Sequence, residues 1–178
     1  METPLHPASG LRKARWTDQD LDAMYWDRCQ VHALAVTDDE GPPDDLSPEE
    51  FAEWDDIDPT APSAVELHFD LDYIVGRVEH GQWRSVDFWV APATLTFSSV
   101  WDVNGGFRSL CRRMDLDRPV MTREPGKHDS WHLRGSELEL SFTAVGWGLV
   151  VRRPPVLGRR RLRMAERGGI SFDRTPFG

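Results

Sequence analysis

The sequence predicts a mainly β (α+β) domain, an antiparallel sheet or sandwich of six to eight strands with one or two short helices. Three observations carry this. Val65–Tyr73 puts apolar residues on odd positions and polar ones on even positions, the period of two of a strand with one buried and one wet face. Ser136–Ala144 alternates the same way, with Leu138, Leu140, Phe142 and Ala144 on one side. Between them lie short runs of β-branched and aromatic residues, bounded by Gly, Pro and Asn.

Taken in order, residues 1–15 are broken by Pro4, Pro7 and Gly10 and read as a flexible arm ahead of a single globular domain, 16–178. Thr17-Asp18-Gln19-Asp20 offers a helix start, since the Thr hydroxyl can take an orphan N–H and acids suit the N-terminal dipole. Leu21, Met24 and Tyr25 at i, i+3 and i+4 extend that helix to about Trp26. Gln30–Val36 follows as a first strand. Residues 38–62 form an acidic surface excursion with its own helix signal, Ser47-Pro48-Glu49-Glu50, and two aromatics, Phe51 and Trp54.

Beyond the strand Val65–Val78, a strand is expected near Arg84–Val90 and another at Thr94–Val103, with a turn-prone Ala91-Pro92-Ala93 between them. Asn104-Gly105-Gly106 signals a tight turn. Phe107–Met114 fits a helical stripe and a strand equally well. Trp131–Leu133 and Ser136–Ala144 read as strands, and Val145–Val151 extends or re-enters the sheet past Gly146 until Pro154-Pro155 stops it. An arginine-rich tail begins at Gly158.

At 178 residues and 39% hydrophobic, with eight Trp and eight Phe, the chain suits one domain with a real core. The net charge of −9 is local in origin. Asp38–Asp58 holds eleven carboxylates and no Lys or Arg, which leaves the remainder slightly basic. This balance argues against a nucleic-acid binder. Two cysteines, Cys29 and Cys111, are too few for a disulfide scaffold. No signal peptide is visible and no run reaches the ~20 apolar residues that cross a bilayer. The expectation is a cytoplasmic protein with reduced thiols and no membrane contact.

Sites are sparse. His68, Asp70 and Asp72 share one strand face and could converge on a divalent metal, but any half-buried sheet has such a polar outer face. His128 and His132 are four apart in what reads as a loop entering a strand. Cys29, Cys111 and Ser130 lack an activated turn of the Gly-x-Ser-x-Gly kind. The glycine pairs lack phosphate-loop or dinucleotide patterns, so no cofactor and no catalytic residue are expected. The tail carries Arg159, Arg160, Arg161, Arg163 and Arg167 and could bind phosphate, nucleic acid or a membrane surface, but nineteen of the 21 basic residues are Arg throughout. Internal neutralisation by the acidic segment, or a charged edge strand, is the default there.

The acidic excursion is the stronger candidate. Its crowded carboxylates repel one another, and a basic partner would relieve that repulsion and be steered in. Asp38, Asp39, Glu40, Asp44 and Asp45 would supply the field, with Phe51 and Trp54 as apolar anchors. The competing reading is a solubilising loop stapled to its own core.

Several blocks also carry a resemblance: Tyr25-Trp26-Asp27, Leu71-Asp72-Tyr73-Ile74-Val75, Phe88–Leu95 and Ala165–Phe172. Through them the chain resembles a group of small, largely uncharacterised bacterial β-rich proteins. More loosely it is similar to immunity proteins of bacterial toxin systems, which often set an acidic surface against a basic nuclease. The acidic excursion lies outside these blocks, and no functional residue is carried over. The resulting expectation is a non-enzymatic protein-binding domain, of immunity type, for a basic partner protein. The alternatives are an enzyme or metal protein using the His68-Asp70-Asp72 face, and a small structural or oligomerising module.

Overall fold

A computed structural model describes residues 4–38, 65–80, 85–109 and 113–178. The expected class holds: the chain is a mainly antiparallel β fold, with two short helices among the described residues. Its strands are β1 (Arg15–Thr17), β2 (Cys29–Asp38), β3 (Val65–His80), β4 (Ser85–Phe107), β5 (Met114–Leu116), β6 (Val120–Thr122), β7 (Asp129–Arg134), β8 (Leu138–Val151) and β9 (Val156–Gly158). These nine strands exceed the six to eight expected, because four have only three residues and are too short to show alternation. A 3-10 helix at Asp18–Ala23 and one α-turn, α1 (Met164–Arg167), complete the described elements.

The sheet runs β5-β2-β3-β4-β8-β7-β6, with β1 added to β8 and β9 to β4. β5 also reaches the far side: Leu116 bridges Gly135, and the Asp117 N–H donates to the Arg134 carbonyl at 2.7 Å. The sheet thereby closes on itself into a barrel. The interior is filled by side chains clustered round Phe97, whose ring meets Phe69, Trp131 and Phe142 edge-on at 4.8–6.2 Å. Leu71, Leu95, Leu133 and Leu149 are fully buried beside them.

Two expected breaks prove to be continuous strand. Ala91-Pro92-Ala93 is the middle of β4, where Pro92 lies opposite Asp72 of β3. The Pro92 carbonyl accepts from the Arg152 N–H at 2.9 Å, so the side where its own N–H is missing faces β8 rather than β3. There the β8 ladder ends at Ala93↔Val151 and β9 takes over at Val90↔Val156. Proline sits at the seam between two partners and costs neither a bond. Asn104-Gly105-Gly106 is likewise no turn but paired strand, just past a bulge where β4 slips register against β8 between Trp101 and Asn104. Gly105 adopts φ +111°, and a Cβ there would strike the Glu139 carbonyl oxygen at 2.1 Å. The glycine signal was real; it bends a long strand instead of ending it.

The first helix is shorter than expected and of 3-10 type; the Thr17 N–H donates to the Asp20 carboxylate at 2.9 Å and fixes its start. Within residues 1–15, the His6 N–H donates to the Leu11 carbonyl at 3.0 Å, the His6 ring meets Trp89, and Leu11 is buried. Val145–Val151 extends β8 without a break.

Candidate functional site

The largest departure from the expected picture concerns the even face of β3. A wet outer surface was expected; Asp70 and Asp72 are fully buried and His68 nearly so. The covering element is the chain from Leu162 to Phe177, which lies across this face. Arg167 of α1 donates from Nη1 to Asp70 Oδ2 at 2.7 Å, from Nη2 to Asp70 Oδ1 at 2.8 Å and from Nε to Asp72 Oδ1 at 3.3 Å. Arg152, just past β8, pairs with Asp70 Oδ1 and donates to the Ser171 carbonyl at 2.6 Å. The Leu162 and Ser171 N–H groups donate to Asp72 and Asp70, and His32 Nε2 lies 3.0 Å from Asp72 Oδ2.

Two carboxylates and two guanidiniums make a neutral, hydrogen-bonded unit, the condition under which buried charge is tolerated. Burial pulls the Arg167 pKa down, but its bonds to Asp70, with Asp72 beside it, more than reverse this and leave it raised. Burial dominates for Arg152, whose pKa is lowered. Every oxygen of Asp70 and Asp72 already has a donor or the His32 ring as neighbour. His68 sits apart, within hydrogen-bond reach of Thr37 and Thr96 and packed on Phe172. Among the described residues no three His, Cys, Asp or Glu side chains are grouped to hold a metal ion. The arrangement is a latch that fastens the tail to the barrel.

The other candidates are scattered. His128 packs edge-on against Trp101 at 5.0 Å, and His132 of β7 lies 3.3 Å from Glu139 of β8. Cys29 is buried, and desolvation pushes its thiol up to about 12, so it is no nucleophile near neutral pH. Cys111 lies outside the described residues. Asp38 closes β2, while Asp39, Glu40, Asp44, Asp45, Phe51 and Trp54 also lie outside them. The described flanks of that segment are informative: Asp38 and Val65 are partners in the β2–β3 ladder.

A second feature, read from the sequence by default as a self-neutralised tail or a charged edge strand, is a basic groove of about 790 Å³. After β9 the chain runs Arg159–Arg163 toward the latch, and Leu162, its one apolar residue, is buried while its Arg neighbours line the groove. Arg113, immediately before β5, lines it as well. Arg160 pairs with Asp27, donates to the Asp27 carbonyl at 2.7 Å and lies over the Phe88 ring at 5.1 Å. Arg161 stands 3.8 Å from Asp115, and its pKa is lowered by burial and next by the charge of Arg113. Arg113, Arg159 and Arg163 are exposed and form no ion pair among the described residues. Sequence could have hinted at this only through the lone Leu in Arg-Arg-Arg-Leu-Arg, since Arg113 arrives from some fifty residues upstream.

Among the described residues no helix is long and apolar enough to cross a membrane. Comparison with protein-family models, with curated proteins and with solved structures finds no match.

Proposed function

We propose that the chain is a non-enzymatic, cytoplasmic protein-binding domain, an immunity-type inhibitor that meets a basic partner protein through the acidic segment 38–58. The observation that supports this is the pairing of Asp38 with Val65. The two flanks of the segment are held side by side on adjacent barrel strands, and the sequence between them carries eleven carboxylates and no Lys or Arg from Asp38 to Asp58. A surface field of this sign speeds encounter with a basic partner and makes the complex sensitive to salt. Two buried groups favour binding over catalysis as well: Asp70 is taken up by the guanidiniums of the latch, and burial holds the Cys29 thiol neutral near pH 7.

The test is capture of partners from the cell of origin with the tagged domain at low and high salt. A variant with Asp38, Asp39, Asp44 and Asp45 all changed to Lys is run in parallel. One stoichiometric basic protein, retained by the native chain at low salt and lost at high salt or with the variant, is the expected result. Equal retention by both chains would remove the acidic segment from the interface.

A further inference from the structure

We propose that the arginine groove is a binding site for a small organic molecule carrying a di- or triphosphate.

Three guanidiniums, those of Arg113, Arg159 and Arg163, line the groove with no ion pair among the described residues. Arg161 is half-buried and crowded by Arg113, and its best carboxylate contact is a long 3.8 Å to Asp115. Like charges gathered in a concave, partly desolvated place repel one another, and an anion between them converts that cost into charge-assisted bonds. Planar guanidinium forks match phosphate oxygens two at a time, so several Arg suit a polyphosphate better than a single carboxylate. The volume, about 790 Å³, falls in the range of small-ligand sites.

Two features narrow the ligand. Val156 and Leu157 of β9 are well exposed and line the same groove, offering an apolar wall to an organic portion. Glu166 stands in the lining, its carboxylate held by the Arg163 N–H at 2.6 Å, and Asp27 and Asp115 pair with two of the groove's arginines. These carboxylates interrupt the basic track that a polynucleotide backbone needs, while a compact anion fits between them.

The experiment is calorimetric titration of the full chain at low salt with inorganic pyrophosphate, with ADP and with a single-stranded oligonucleotide. The variants are R113E/R159E and, with the same change in net charge, R12E/K127E, whose residues lie outside the groove lining. All four positions are exposed, and unchanged near-UV circular dichroism confirms that each variant is folded. Saturable one-to-one pyrophosphate binding is expected, tighter for ADP. R113E/R159E should weaken it at least about tenfold, as loss of charge-assisted bonds predicts, and R12E/K127E no more than about twofold. No saturable binding by the native chain overturns the proposal, as does equal weakening by both variants. Tighter binding of the oligonucleotide, or weaker binding of ADP than of pyrophosphate, overturns the assigned ligand class.

Discussion

Arg167 grips both oxygens of the Asp70 carboxylate, at 2.7 and 2.8 Å, with neither side chain exposed to solvent. The pair joins the second long strand of the barrel to the last helical turn of the chain. Because it is buried, removing Arg167 leaves two buried carboxylates with Arg152 as their one remaining guanidinium partner. R167A should therefore cost about 3–5 kcal/mol, measured by urea unfolding followed through tryptophan fluorescence. R167K should recover less than half of this, since an ammonium has one nitrogen where Arg167 uses three, Nη1 and Nη2 on Asp70 and Nε on Asp72. A loss below about 1 kcal/mol for R167A, the scale of an exposed pair, would refute the latch.

Barrel closure rests on Gly135. A Cβ there would lie 1.7 Å from the Asp115 carbonyl oxygen, and backbone on both sides leaves no room to yield. G135A should cost at least about 1–3 kcal/mol, as overpacking does, and lower the melting temperature by about 2–4 °C for each. G106A, where a Cβ meets nothing within 4 Å, is the matched control and should stay within about 0.5 kcal/mol.

Alkali should unfold the protein through Cys29. Burial raises its thiol from 9.0 to about 12 in the folded state. A folded pKa above the unfolded one gives stability that is full below pH 9 and drains as the pH climbs toward 12, because only the unfolded thiol can ionise there. The slope is about 1.4 kcal/mol per pH unit for this group. Burial raises Tyr73 as well, which steepens the loss above pH 10. Denaturant midpoints between pH 8 and 11 should fall for the native chain and fall less steeply for C29A. Parallel curves would contradict the assignment.

Leu162 is the anchor that turns an arginine run into a groove. L162A should cost about 2–4 kcal/mol as a core truncation. It should also weaken pyrophosphate binding although no arginine is removed, which calorimetry on the folded variant would read directly.

What could be read from sequence follows the range of the interactions. The alternation of Val65–Tyr73 and Ser136–Ala144 is local, and both segments are strands in the register that buries their apolar residues. The polar character of Glu66, His68, Asp70 and Asp72 was equally legible, but the complete burial of Asp70 and Asp72 was not. It depends on Arg152 and Arg167, 82 and 97 residues further on, and a strand pattern cannot tell water from a guanidinium as the partner of a carboxylate. Pro92 and Gly105 misled for a related reason. Each breaks an isolated strand, yet each is harmless where the neighbouring ladder has a seam or a bulge. The groove needed Arg113 and Arg159 to be brought together by β5 and β9, strands of three residues each.

The latch also sets a schedule for biosynthesis. Asp70 and Asp72 leave the ribosome long before the cations that neutralise them, and 97 residues separate Asp70 from Arg167. At about 5–20 residues per second that interval lasts roughly 5–20 s. During it β3 can pair with β2 and β4, but its outer face carries two carboxylates served by water and, at Asp72, by the His32 ring alone. The barrel thus stays provisional throughout most of its own translation, and an intact tail becomes the condition on which a nascent chain is committed to its native state.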